Sequence, residues 1–144
     1  KKLYEEASKN PTATGAALLA ERVETMTTKG FQGISSTDVV GSPSNYFINN
    51  FWSAEDNAHY GHISTAIRNS TFNLANDGFK DLDASKQVVT YCWTGQTSSM
   101  ITAYLTVLGY DAKSLLNGSN SMIYDELESH KWSPPAVDLP VVVD

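Results

Sequence analysis

The segment KQVVTYC, residues 86 to 92, is β-branched and aromatic without polar alternation. A strand reads this way when it is central in a parallel sheet and both its faces are covered. In the following SSMITAYLTVLGYDA, Ile101, Tyr104, Leu105 and Leu108 recur at helical spacing, with Gly109 placed as a C-cap. AKSLLNG, beginning at Ala112, supplies the next strand. Upstream, Leu18, Leu19, Val23 and Met26 predict a helix from Thr14 to Thr28, stopped at Gly30. Pro11 breaks any continuation toward Leu3, so residues 1–12 are expected to be a short helix or a surface arm. A short extended piece at Ile34, a turn from Gly41 to Asn45 and a buried strand from Tyr46 to Phe51 come next. Ser53 with two acids behind it opens one or two helical turns, and HISTAI, residues 62 to 67, is expected to be extended. The proline-rich end, KWSPPAVDLPVVVD, reads as an arm packing back through its valines. Strands alternating with helices define an open α/β domain with a mostly parallel sheet.

Composition narrows the function. The chain of 144 residues fits one domain, and 41% hydrophobic against 18% charged residues excludes a disordered chain. A formal net charge of -6 opposes binding to nucleic acid or to an anionic membrane, so small molecules or other proteins are the expected partners. No stretch approaches the roughly 20 apolar residues of a membrane span. The sequence begins KKLYEEASKN without methionine and is rich in Ser, Thr and Asn, from which an exported or periplasmic location is expected over a cytoplasmic one.

The one cysteine, Cys92, stands where the apolar run ends. In open parallel sheets, ligands bind at the carboxyl ends of strands. The loop WTGQTS that follows offers consecutive backbone N–H groups, Gly95 lets it curl inward, and a helix starting near Ser98 adds its unpaired N–H groups and positive dipole end. Such surroundings stabilise a thiolate and suit a nucleophile; a partly buried thiol that merely ends a strand is the competing reading. One cysteine and scattered histidines give no zinc-ligand pattern.

The motif Cys-x-x-Gly-x-Thr-Ser between a buried strand and an amphipathic helix resembles the active-site loop of rhodanese-like sulfurtransferases. GHISTAI, residues 61 to 67, resembles that family's Gly-His-Ile-Pro-Gly-Ala-Ile signature, with Ser64 and Thr65 in place of Pro and Gly. LGYDAKSLLNG and the later Trp132 are similar to its Leu-Gly-Tyr, Gly-Gly and Trp ending. The resemblance implies a five-stranded parallel sheet with helices on both faces. It divides the chain into a helical extension (1–32), the rhodanese-like domain (33–132) and an extended arm (133–144). It further implies that Cys92 attacks the outer sulfur of thiosulfate, a persulfide or a polysulfide and passes it to a thiol or cyanide acceptor, with no cofactor. Trp93, Thr94, Gly95, Gln96, Thr97 and Ser98 would form the anion cradle, and His62 would hold its turn by hydrogen bonding. A protein acceptor is compatible with this chemistry.

Two departures stand out. Asn50 and Trp52 occupy positions where many relatives carry Asp and Arg, so local repacking is expected there. The loop also lacks Lys and Arg, which suits thiosulfate less well; Arg68 is the basic residue that could face the pocket, or else a solvated strand-end charge. The rivals are a Cys-x5-Arg phosphatase or arsenate reductase, which Ser98 in the arginine position disfavours, and a non-catalytic rhodanese-like module. His59 and His130 are expected at the surface.

Overall fold

The computed structural model describes residues 14–70, 78 and 81–133. The expectations for residues 1–12 and, beyond Ser133, for the C-terminal arm lie outside the described residues. Five strands form one sheet: β1 (Gly33–Ile34), β2 (Tyr46–Asn50), β3 (Ile67–Arg68), β4 (Gln87–Tyr91) and β5 (Ala112–Leu115). Their order is β1-β5-β4-β2-β3, and every pairing is parallel. Four α-helices accompany them: α1 (Gly15–Lys29), α2 (Ser36–Gly41), α3 (Ala54–Tyr60) and α4 (Gln96–Val107).

The run that reads as a central strand is one. β4 pairs with β2 through Ile48 and Val89 and with β5 through Val88 and Ala112, and Val88, Val89 and Tyr91 are fully buried. Alternation sends Val89 and Tyr91 to a core with Ile48, Leu115, Trp52 and Val39 of α2. Val88 faces the other way, against Ala112 and the Ile101 and Leu105 side of α4. Helix α4 ends as its sequence indicates: Gly109, at φ 89°, donates its N–H to Thr106 O, and Tyr110 N donates to Leu105 O. This is a Schellman closure, with the glycine taking the left-handed position.

Helix α1 follows its stop and start signals within one residue, with Thr14 Oγ1 accepting the Ala17 N–H as N-cap. Its apolar stripe is divided, however. Leu18 and Met26 are half-buried, whereas Leu19 and Val23 are exposed. Met26 shares a small cavity with Ser99, Thr102 and Ala103, which seats α1 on the outer side of α4.

Two expectations need correction. Ser36–Gly41 is a helix, capped by the Ser35 hydroxyl accepting the Asp38 N–H at 3.1 Å, where only a link to a turn was expected. HISTAI is a turn followed by a two-residue strand: Ala66 N donates to Ile63 O, and Thr65 lies at φ 68°. The alternation of isoleucine with small residues imitates a strand, but pairing begins only at Ile67, opposite Asn49. A β-branched residue in left-handed backbone costs roughly 1–2 kcal/mol. Thr65→Gly is therefore expected to stabilise the fold by about 0.5–1 kcal/mol after glycine's entropic penalty, read as a thermal midpoint about 2 °C higher.

Candidate active site

Cys92 is the first residue past β4, and its carbonyl and the next are held from behind. Cys92 O accepts the Ser119 N–H at 3.0 Å, while Trp93 O accepts from Asn120 Nδ2 at 2.8 Å, Ser119 Oγ at 3.0 Å and Asn120 N at 3.3 Å. Across a trans peptide the N–H opposes the C=O, so the amides of Trp93 and Thr94 point away from residues 119–120. Gly95 then turns the chain at φ 88°, ψ -12° and serves as N-cap of α4. A Cβ on Gly95 would stand 3.2 Å from Asn117 N and 3.4 Å from Leu115 O, so close approach and dihedral angle both favour glycine. The helix begins at Gln96, two residues before the expected start at Ser98, with no acidic residue in its first turn.

The thiol of Cys92 is free and only 3% of the residue is exposed. Its Sγ accepts the Ser98 N–H at 3.4 Å and lies 3.6 Å from Ser98 Oγ. Among the described residues Ser98 is the one whose amide reaches the sulfur. Its hydroxyl lies inside the fold, fully buried, 2.8 Å from Ser114 Oγ and 3.1 Å from Gly95 O.

The remaining residues of the expected cradle diverge. Thr94 Oγ1 donates to Gln96 Oε1 at 3.0 Å, and both residues line a cavity of about 250 Å³ with Phe31, Ser99 and Asn117. Thr97 is half-buried in the first turn of α4. The Trp93 ring is the middle member of a stack, 4.4 Å from Trp52 at 16° and 5.0 Å from His130 at 19°. Tyr60 meets Trp52 and Trp93 edge-on, and Tyr91 does the same to Trp52. Trp52 thus anchors an aromatic cluster where the resemblance leads one to expect an ion-pair arginine. The neighbouring Asn50 is fully buried, its Nδ2 donating to Asn57 Oδ1 at 2.8 Å.

Burial pushes the Tyr91 phenol up to about 12 from 10.0, against the opposing pull of hydrogen bonds with the Ile63 N–H and the Asn50 side chain. Below pH 10 the phenol is protonated in both states and its contribution to stability is fully present. As pH rises toward 12 the unfolded chain ionises first, so that contribution is lost. Tyr91→Phe is expected to flatten the alkaline decline measured by urea denaturation on either side of pH 10.

His59 and His130 are exposed, as expected, and His59 Nε2 lies 3.3 Å from Glu128 Oε1. His62 is also exposed, lining a cavity with Trp52, Tyr60 and Met122. Its turn is closed by backbone and by Tyr91, whose hydroxyl accepts the Ile63 N–H at 3.4 Å, instead of by the imidazole. Arg68 donates from Nη1 to Trp52 O at 3.4 Å and to Ser70 Oγ at 3.3 Å, at the exposed end of the edge strand. Sequence reasoning missed Ser114, Ser119 and Asn120. Only the turn-forming Asn117-Gly118 pair beside the last two gave any signal.

A single buried thiol at the carboxyl end of the central parallel strand, leading through a glycine into a helix, sits in an α/β fold of the rhodanese class. The model of the family described as "Rhodanese-like domain" matches residues 40–125, and the chain belongs to that family. A rhodanese-related protein from Thermoplasma volcanium superposes with TM-score 0.56 at 18% identity, covering 67% of this chain and 94% of that one. A protein from Lactobacillus plantarum gives 0.52 at 25% identity, covering 75% and 95%. An NAD-dependent persulfide reductase from A. fulgidus gives 0.52 at 17% identity, covering 78% of this chain and 19% of that one. No curated protein sequence matches the chain.

Proposed function

We propose that the protein is a sulfurtransferase that carries sulfane sulfur as a persulfide on Cys92. The observation that supports this most is the thiol itself, just past β4 and facing the first turn of α4, with the Ser98 N–H donated to its sulfur. The thiolate attacks the outer sulfur of thiosulfate; the S–S bond breaks, its electron pair leaves with sulfite, and the enzyme retains Cys92–S–S⁻. An acceptor thiolate or cyanide then attacks the terminal sulfur and restores the Cys92 thiolate. Charge is conserved at each step, and no oxidant, metal or cofactor is called for.

Access shapes the choice of donor. With 3% of Cys92 exposed, a slim terminal sulfur reaches it more readily than a bulky group. The loop supplies neutral donors only, so a persulfide anion, with one negative charge where thiosulfate carries two, suits it better than thiosulfate does. The partners on this reading are a small sulfur-containing anion and a thiol acceptor, free or on a protein, in an exported or periplasmic setting.

Intact-mass spectrometry after exposure to thiosulfate or polysulfide tests the proposal. A gain of one sulfur, mapped to Cys92 and removed by cyanide, is the expected result. The buried thiol favours one alternative, a rhodanese-like module that binds a partner or senses sulfur without turnover. An unchanged mass with both donors would select partner binding, and a gained sulfur that no acceptor turns over would select sensing.

A further inference from the structure

The carbonyl of Gly95 attracts more donors than it can use. Ser99 Oγ lies at 2.6 Å, Ser99 N at 3.0 Å, Ser98 Oγ at 3.1 Å and Ser114 Oγ at 3.5 Å. A carbonyl oxygen has two lone pairs, and Ser99 alone can fill both through its amide and its hydroxyl. The hydroxyls of Ser98 and Ser114 are then surplus at that oxygen. They are 2.8 Å apart, Ser98 is fully buried and Ser114 is 1% exposed, so neither can turn to solvent. The nearest further acceptor for Ser98 is Cys92 Sγ, 3.6 Å from its oxygen.

We propose that Ser114 is a positioning residue for the Cys92 thiolate, acting through Ser98. Its hydroxyl donates to Ser98 Oγ, and this leaves the Ser98 proton directed at the anionic sulfur. In the neutral state the order is reversed: the S–H donates to Ser98 Oγ, Ser98 donates onward to Ser114 Oγ, and Ser114 turns its proton to Ser99 Oγ, 3.4 Å away. Loss of the thiol proton to solvent reverses the chain by hydroxyl rotation alone, with Ser99 holding Gly95 O throughout. Each buried hydroxyl has a partner in both states, which a lone serine beside the sulfur would not achieve. The role in turnover rests on the reading of Cys92 as the sulfur carrier, whereas the relay acts on the thiolate itself.

The matched pair Ser114→Thr and Ser114→Val tests this, because the two side chains have the same shape and differ only in the hydroxyl. The readout is the pH–rate profile of Cys92 alkylation by iodoacetamide, which needs no sulfur donor. Ser114→Val and the smaller Ser114→Ala are expected to move the profile to higher pH and to slow alkylation at neutral pH by roughly 2- to 10-fold, while Ser114→Thr stays near wild type. In a Ser98→Ala background, Ser114→Ala is expected to add less than about 2-fold. Equal profiles for the Thr and Val variants, or a full Ser114→Ala effect without the Ser98 hydroxyl, would overturn the relay. Persulfide formation measured by mass in the same variants keeps the two readings apart: normal sulfur gain with an unmoved profile rejects the relay alone, and a moved profile without sulfur gain rejects sulfur carriage alone.

Discussion

Cys92→Ser is expected to abolish sulfur transfer, by more than about 10³-fold, with the fold intact. Serine fits the site: the residue is buried, and its side chain meets Ser98 N and Ser98 Oγ, partners that a hydroxyl also satisfies. What is lost is the nucleophile, since a serine hydroxyl lacks both the acidity and the polarisability to attack sulfur. Thermal denaturation within a few degrees of wild type, together with no sulfur gain by mass, is the expected pair of results. Sulfur transfer surviving in this variant would move the chemistry away from Cys92.

Gly118→Ala is expected to damage both stability and site. A Cβ there would press directly on Cys92 O and lie 2.8 Å from both the carbonyl carbon and the oxygen of Trp93, at a backbone φ of 54°. These are the carbonyls that Ser119 and Asn120 hold, so relief of the clash displaces the loop that carries the thiol. A loss of about 2–4 kcal/mol, or roughly 5–15 °C in thermal midpoint, is expected. Displacing the sulfur by about 1 Å costs up to about 10²-fold in turnover. Gly41→Ala is the control, because an added Cβ meets open space there. If Gly118→Ala matched that control in stability and rate, the close packing behind the loop would not govern the site.

What could be read from the sequence followed from how strong each local signal is. β4 was legible because its apolar run admits no exposed face, and α4 because a stripe and a closing glycine agree. The position of Cys92 at a strand end followed from those two elements. Helix α2 escaped because STDVVG contains weak helix formers and buries only Val39; its sign was the Ser35 cap with Asp38 three residues on. Thr65 misled because its residue type favours a strand while its surroundings impose a turn. The Trp52–Trp93 and Trp93–His130 ring contacts and the Ser98–Ser114 pair join residues roughly 41, 37 and 16 positions apart in the sequence. No periodicity encodes such pairings, because they depend on strand order.

The sheet also has a bearing on self-association. Its two outermost strands, Gly33–Ile34 and Ile67–Arg68, are two residues long, whereas the five-residue strands both lie inside. An incoming strand from another molecule would find only about one turn of ladder to copy on either margin, and a charged arginine on one of them. The β-branched stretch Gln87–Tyr91 is protected by neighbours on both sides for as long as the domain is folded. Among the described strands, pairing of this segment with another molecule therefore requires unfolding first, and exposure of its backbone is set by the stability of the sheet.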